Sequence, residues 1–252
     1  MKRTILTLFF VLCASIMPLS AQSPPTRDAA IELNKKAVGF FEAHRYQDAI
    51  EAFTKSIELN PANPWTHKQL AVVYIDSGQF PEAIVGIREA IRLNPNYAEV
   101  YVCLGDLSTK ENRLDEAVAA YLKAASLKPD LEVAYAGLGD ALVRLGRNRE
   151  AVEALEKAVM LNPHDAIALN DLGCAYHLIK QHKKAIAALL QSLALKPDFD
   201  GARQSLAIAY ISAGTRQSAI EQYSLLQKRS PKLADLVYKL LFNGKVITAK
   251  SQ

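Results

Sequence analysis

Proline stands at Pro61, Pro95, Pro129, Pro163, Pro197 and Pro231, six times at one constant spacing. A chain with that period is built from copies of one unit. Twelve residues before each proline lies an alanine: Ala49, Ala83, Ala117, Ala151, Ala185 and Ala219. Apolar or small residues follow it at i+4 and i+7, as in Ala117, Tyr121 and Ala124, which marks one face of a helix. An earlier column, Ala37, Ala71, Gly105, Gly139, Gly173 and Ala207, is preceded in five units by leucine and followed three residues on by Phe40, Tyr74, Ser108, Leu142, Tyr176 and Tyr210. This is the packed face of a second helix, placed earlier in each unit. Small residues at both columns let two helices approach closely, so each unit reads as an antiparallel pair.

The joints follow from the same positions. Proline disfavours the α conformation in the residue before it and so closes the later helix. Asn63, Asn96, Asp130, Asp165 and Asp200 follow the first five prolines within three residues and are expected to cap the next helix. Turns inside units are expected at Gly78, Gly146 and Gly214, where glycine tolerates positive φ. Residues 232–242 form a closing amphipathic helix that ends at Asn243-Gly244.

These residues resemble the tetratricopeptide repeat family, whose pattern is W-x2-L-G-x2-Y, then A-x3-F, then P within a unit of about 34 residues. Tyr101, Leu104, Gly105, Ala117, Tyr121 and Pro129 follow it, as do Leu172, Gly173, Tyr176, Ala185, Leu189 and Pro197. Lys36, Arg203 and Leu226 depart from it near the two ends. The resemblance covers about residues 30–233 and implies an all-α, right-handed α-solenoid with a C-terminal capping helix. The expected units are 30–63, 64–97, 98–131, 132–165, 166–199 and 200–233, with cap and tail over 234–252. Some members grip an acidic C-terminus with a two-carboxylate clamp of lysine, arginine and asparagine. Here Val72, Cys103, Asp140 and Ser205 stand in the matching columns, so that clamp is not assembled.

The N-terminus reads as an address. Lys2 and Arg3 precede an apolar run from Ile5 to Met17, then Pro18-Leu19-Ser20-Ala21, the order of a secretory signal peptide cut near Ala21. Retention of residues 5–17 as a membrane anchor is the alternative. Residues 22–29, with Pro24-Pro25, suit an extended linker. A periplasmic or secreted location follows, and the absence of any N-x-[ST] acceptor agrees with a bacterial envelope. Cys103 and Cys174 lie about two units apart in the chain, too far for a disulfide. Removing Lys2 and Arg3 lowers the net charge from +4 to +2, weak for a nucleic-acid footprint, so nucleic acid is not expected as a partner.

Little chain is left for catalysis, and neither a cofactor nor a metal is expected. The alternative from a different class is an enzyme or metal protein using Cys174 and His177, with His182 in the following turn, although these residues lack a converging third group. Gly137-x-Gly139 lies within a helix and serves packing rather than phosphate binding. Function therefore falls to a surface. The earlier helices line the concave side, where Asn34, Trp65, Lys68, Gln69, Asp106, Asp140, Arg144, Asn170, Asp171, His177 and Gln204 are the expected groove residues. Trp65 reads as an exposed anchor or, alternatively, as packing under the linker, and the aspartates favour a ligand with Lys or Arg. The expected partner is a protein or peptide, with an envelope or pilus assembly role as a second reading, self-association open, and membrane contact only through a retained N-terminal segment.

Overall fold

The computed structural model describes residues 24–242, all thirteen elements of it helical: α1 (Pro24–Glu42), α2 (Tyr46–Leu59), α3 (Pro64–Asp76), α4 (Phe80–Leu93), α5 (Ala98–Lys110), α6 (Leu114–Leu127), α7 (Glu132–Arg144), α8 (Asn148–Leu161), α9 (Ala166–Leu178), α10 (His182–Leu195), α11 (Asp200–Ser212), α12 (Arg216–Arg229) and α13 (Pro231–Phe242). The expected export or anchor segment and the expected stop at Asn243-Gly244 lie outside the described residues. From α3 onward the odd helices up to α11 start at Pro64, Ala98, Glu132, Ala166 and Asp200, with the same spacing as the prolines. Each packs on the even helix that follows it and on the pair before it. The molecule is an all-α solenoid.

No pair closes a core alone. Phe53 of α2 and Leu70 and Val73 of α3 share one cluster, Ile87 of α4 joins Val100 and Leu107 of α5, and Leu189 of α10 joins Leu206 of α11. All six alanines of the proline-linked column are fully buried. The glycine column works by close approach. A Cβ on Gly139 would stand 2.4 Å from Leu155 Cγ, and one on Gly173 would stand 2.6 Å from Leu189 Cγ. Ser56 and Ser192, four units apart, are buried and donate to the carbonyls of Ala30 and Ala166, so neither hydroxyl is left unpaired.

Two local expectations change. The first helix starts at Pro24, inside the expected linker, because proline needs no N–H partner in a first helical turn. Only Asn63 and Asp165 cap: Asn63 Oδ1 accepts from Trp65 N at 3.1 Å, and Asp165 Oδ1 from Ile167 N at 2.8 Å. The cap position is the second residue after the proline. Tyr97, Leu131 and Phe199 occupy it in the other units, so Asn96 and Asp130 fall one residue early and Asp200 one late. Asp200 instead accepts from Arg229 Nε at 2.8 Å and from Ser230 Oγ, which holds its carboxyl below the usual range.

The turns inside units are all alike. Residues 44, 78, 112, 146, 180 and 214 have positive φ; three are glycine, and His44, Asn112 and Lys180 take φ of 56°, 60° and 62°. Around each, two backbone bonds run back into the preceding helix, as in Lys180 N to His177 O and Gln181 N to Tyr176 O, both 2.9 Å. This is the Schellman arrangement, which satisfies the carbonyls left open at a helix end.

At the C-terminal end, Val237 and Leu241 of α13 join Ala207, Ala219 and Leu226 in a final cluster. The expected closing helix is present and covers the last pair.

Candidate groove on the concave side

Seven of the expected groove residues lie on α3, α5, α7 and α9 with solvent access. Lys68 and Gln69 of α3 are half-buried; Asp106 of α5 and Asp140 of α7 are open to solvent; Asn170, Asp171 and His177 of α9 are half-buried. Val133 and Ile167, at matching positions of α7 and α9, are 45% and 58% exposed, so apolar surface alternates with carboxylates along this wall.

Four expected groove residues are held elsewhere. Asn34 is buried and donates to Thr66 Oγ1 of the next pair at 3.2 Å, with its own Oδ1 unpaired. Trp65 stacks edge-on against Phe53 at 6.2 Å and belongs to the margin of the core, which corrects the reading of it as an exposed anchor. Arg144 is exposed, but its guanidinium donates to Thr109 O and Asn112 Oδ1, both at 3.0 Å, stapling two units. Gln204 Nε2 donates to Leu233 O at 2.9 Å and ties α11 to α13.

The carboxylates differ in their surroundings. Asp106 accepts from Tyr121 Oη at 2.6 Å, and crowding by the groove walls raises its pKa although solvent still reaches it. Burial likewise pushes Tyr121 upward, with the Asp106 charge adding to the effect. Asp171 accepts from Asn170 Nδ2 at 3.0 Å and is pushed up to about 6, chiefly by burial, with the charges of Asp140 and Asp165 adding. No cation pairs with Asp171 among the described residues. A half-buried carboxyl without a counter-charge is a candidate for a binding role.

The thiol of the thiol–imidazole candidate bonds away from the imidazole. Cys174 Sγ donates to Ser205 Oγ at 3.3 Å, and burial raises its pKa, the opposite of an activated thiolate. His177 lies 5.5 Å from His182, ring to ring, and both Nδ1 atoms are buried without a partner. Burial, with the His182 charge, lowers the His177 pKa. Cys103 is buried and pushed up to about 12 by desolvation; both cysteines are free. No group of three or more His, Cys, Asp and Glu suited to a metal occurs among the described residues.

Two features lie beyond the sequence reading. Tyr121 fits the pattern as a packing residue, yet its hydroxyl reaches the groove; the signal is Gly105 and Gly137, which leave its ring room from two neighbouring units. The second is a cavity of about 150 Å³ between α9 and α11, lined by Gly173, Cys174, His177, Leu178, Leu189, Ser205 and Ile208. Its signal is a set of small residues, Gly173, Cys174 and Ser205, beside Ile208.

Family models described as tetratricopeptide repeat match residues 40–102 and 137–199, and one described as TPR repeat matches 105–146, together more than half of the chain. No curated protein matches. Among solved structures, PilF of Pseudomonas aeruginosa is similar at 18% identity and a TM-score of 0.75, over 85% of this chain and 97% of that one. PilW, described as a type IV pilus biogenesis factor, is similar at 19% identity and a TM-score of 0.75, over 83% and 98%. YrrB, described as a TPR protein with an unusual peptide-binding site, is similar at 23% identity and a TM-score of 0.62, over 76% and 100%. At those identities the likeness is one of fold. With its constant repeat period, its stacked helix pairs and these matches, the chain is a tetratricopeptide repeat protein.

Proposed function

We propose that the chain is a non-catalytic scaffold that holds a protein or peptide segment in its concave groove, outside the cytoplasm. The observation that carries this reading is the groove wall itself. Asp106, Asp140 and Asp171 sit on successive odd helices, apolar Val133 and Ile167 are exposed beside them, and burial without a cation holds Asp171 well above the usual carboxylate range. Such a wall suits an extended segment carrying Lys or Arg, whose backbone bonds to side chains such as Asn170 and Gln69. In this reading the working groove residues are Lys68, Gln69, Asp106, Asp140, Asn170, Asp171 and His177, spread over units that run 64–97, 98–131, 132–165 and 166–199.

Export is read from Lys2, Arg3, the apolar run 5–17 and Ala21, and it places the groove in the periplasm or beyond the cell. No described helix is long and apolar enough to cross a membrane. A role in assembling an envelope or pilus machine is the second reading, favoured by the similarity to PilF and PilW over more than four-fifths of this chain.

Crosslinked pull-down from the exporting cell tests the groove reading. Asp140→Lys and Asn170→Ala should each weaken capture of the partner, while Asp140→Lys leaves helicity intact and stability within about 0.5 kcal/mol, as a solvent-facing change should. Unchanged capture by both variants would place recognition on the convex side or at an end, against this proposal.

A further inference from the structure

The units are built on one plan, so a space filled in one and open in another is informative. The position equivalent to Leu189, two units earlier in the chain, is Tyr121, and its ring occupies the gap between α5 and α7. Cβ atoms on Gly105 and Gly137 would stand 2.5 and 2.4 Å from its Cε1. Two units later the same three positions are Gly173, Leu189 and Ser205. Leucine is shorter than tyrosine, and the space that the ring fills is there the cavity of about 150 Å³. Apart from the Cys174 to Ser205 hydrogen bond and the His177 ring, its walls are hydrocarbon: Leu178, Leu189 and Ile208.

We infer that this cavity seats one aliphatic side chain of the bound segment, and that the segment carries a lysine or arginine beside it, held at Asp171. The inference rests on the groove reading above and names the chemistry of the occupant. The volume fits: an apolar cavity of about this size takes up a molecule as large as benzene, so one Leu, Ile, Val or Met side chain fills it. The charge fits as well. Asp171 is on α9, one helical turn before the lining residue Cys174 and outside the lining itself, with Asp140 of α7 adding negative potential, and no cation pairs with Asp171 among the described residues. An apolar side chain seated here removes water from the carboxylate, which strengthens its attraction for a neighbouring cation.

The probe is an array of alanine–serine dodecapeptides, each with one Leu and one Lys at varied spacing, presented to the full chain. At the best spacing, replacing Leu by Ala should lower retention about tenfold, the worth of one buried aliphatic side chain. Replacing Lys by Glu should lower it by about fivefold or more. Leu189→Phe with Ser205→Gly copies the filled arrangement of Tyr121 and Gly137 and should abolish the preference for Leu. Asp171→Asn should abolish the preference for Lys. In addition, the Leu–Lys peptide should slow alkylation of Cys174 by N-ethylmaleimide, read by mass mapping. That readout needs no variant to fold.

Peptides retained without a Leu preference, a preference that survives in the filled variant, or Cys174 alkylated at an unchanged rate would overturn the inference and leave the groove reading standing. Retention of no peptide by the natural chain would overturn the groove reading, and this inference with it.

Discussion

Asp171 is the residue whose surroundings most need an explanation. Its burial disfavours the charged form, so the folded chain binds a proton there more tightly than the unfolded chain does. The sign follows by linkage. Stability from this group is fully present below the ordinary carboxylate pKa of about 4 and is lost as pH rises through about 6. Asp171→Asn, neutral at every pH, should therefore be more stable than the natural chain at pH 7.5 by about 1–2 kcal/mol, a figure reduced for the solvent the carboxyl retains. The gain should vanish near pH 3.5. Urea midpoints at the two pH values measure it, and an equal or negative change at pH 7.5 would mean that the carboxylate has a stabilising partner. The helix period makes the position of Asp171 legible in the sequence, but the extent of its burial is not contained in a single helix pattern. Asn34 and Gln204 show the same limit: both fall in the groove column, and both are turned aside by partners a unit away, Thr66 and the Leu233 carbonyl.

At the scale of the element, the turn between paired helices sets the repeat geometry. Six left-handed residues recur once per unit, and only three are glycine. Lys180 adopts φ of 62° at a cost that glycine would not incur, so Lys180→Gly should raise stability by about 0.5–1 kcal/mol. Gly146→Ala should do the reverse by about 1 kcal/mol; a Cβ there meets nothing within 4 Å, so the loss would be conformational and not steric. Chemical denaturation of both variants checks the pair, and changes of the same sign would refute the account of the turn. Gly78, Gly146 and Gly214 announce these turns in the sequence, whereas His44, Asn112 and Lys180 announce them less plainly: Asn and His tolerate the left-handed region better than most side chains, and Lys180 has no such preference. Helix starts are legible in position and not in chemistry. The repeat period places them, but a polar side chain caps only at the second residue after proline, and in three of the five units that residue is Tyr97, Leu131 or Phe199.

Across the whole molecule, charge is divided along the stack. Residues 30–165 carry 15 Lys and Arg against 20 Asp and Glu, and residues 166–242 carry 10 against 5. The N-terminal units are thus net acidic and the C-terminal ones net basic, a difference that acts on a charged partner as a whole-molecule field. Within that field the three groove aspartates are the central claim, and carboxyl footprinting addresses it most directly. The full chain, with and without its captured partner, is treated with a carbodiimide and an amine, and each modified carboxyl is mapped by mass spectrometry. The account predicts that Asp106, Asp140 and Asp171 become protected by the partner while Glu58 and Glu153 of the even helices react as before. Protection of Glu58 or Glu153, with the three aspartates still labelled at their free rates, would contradict it.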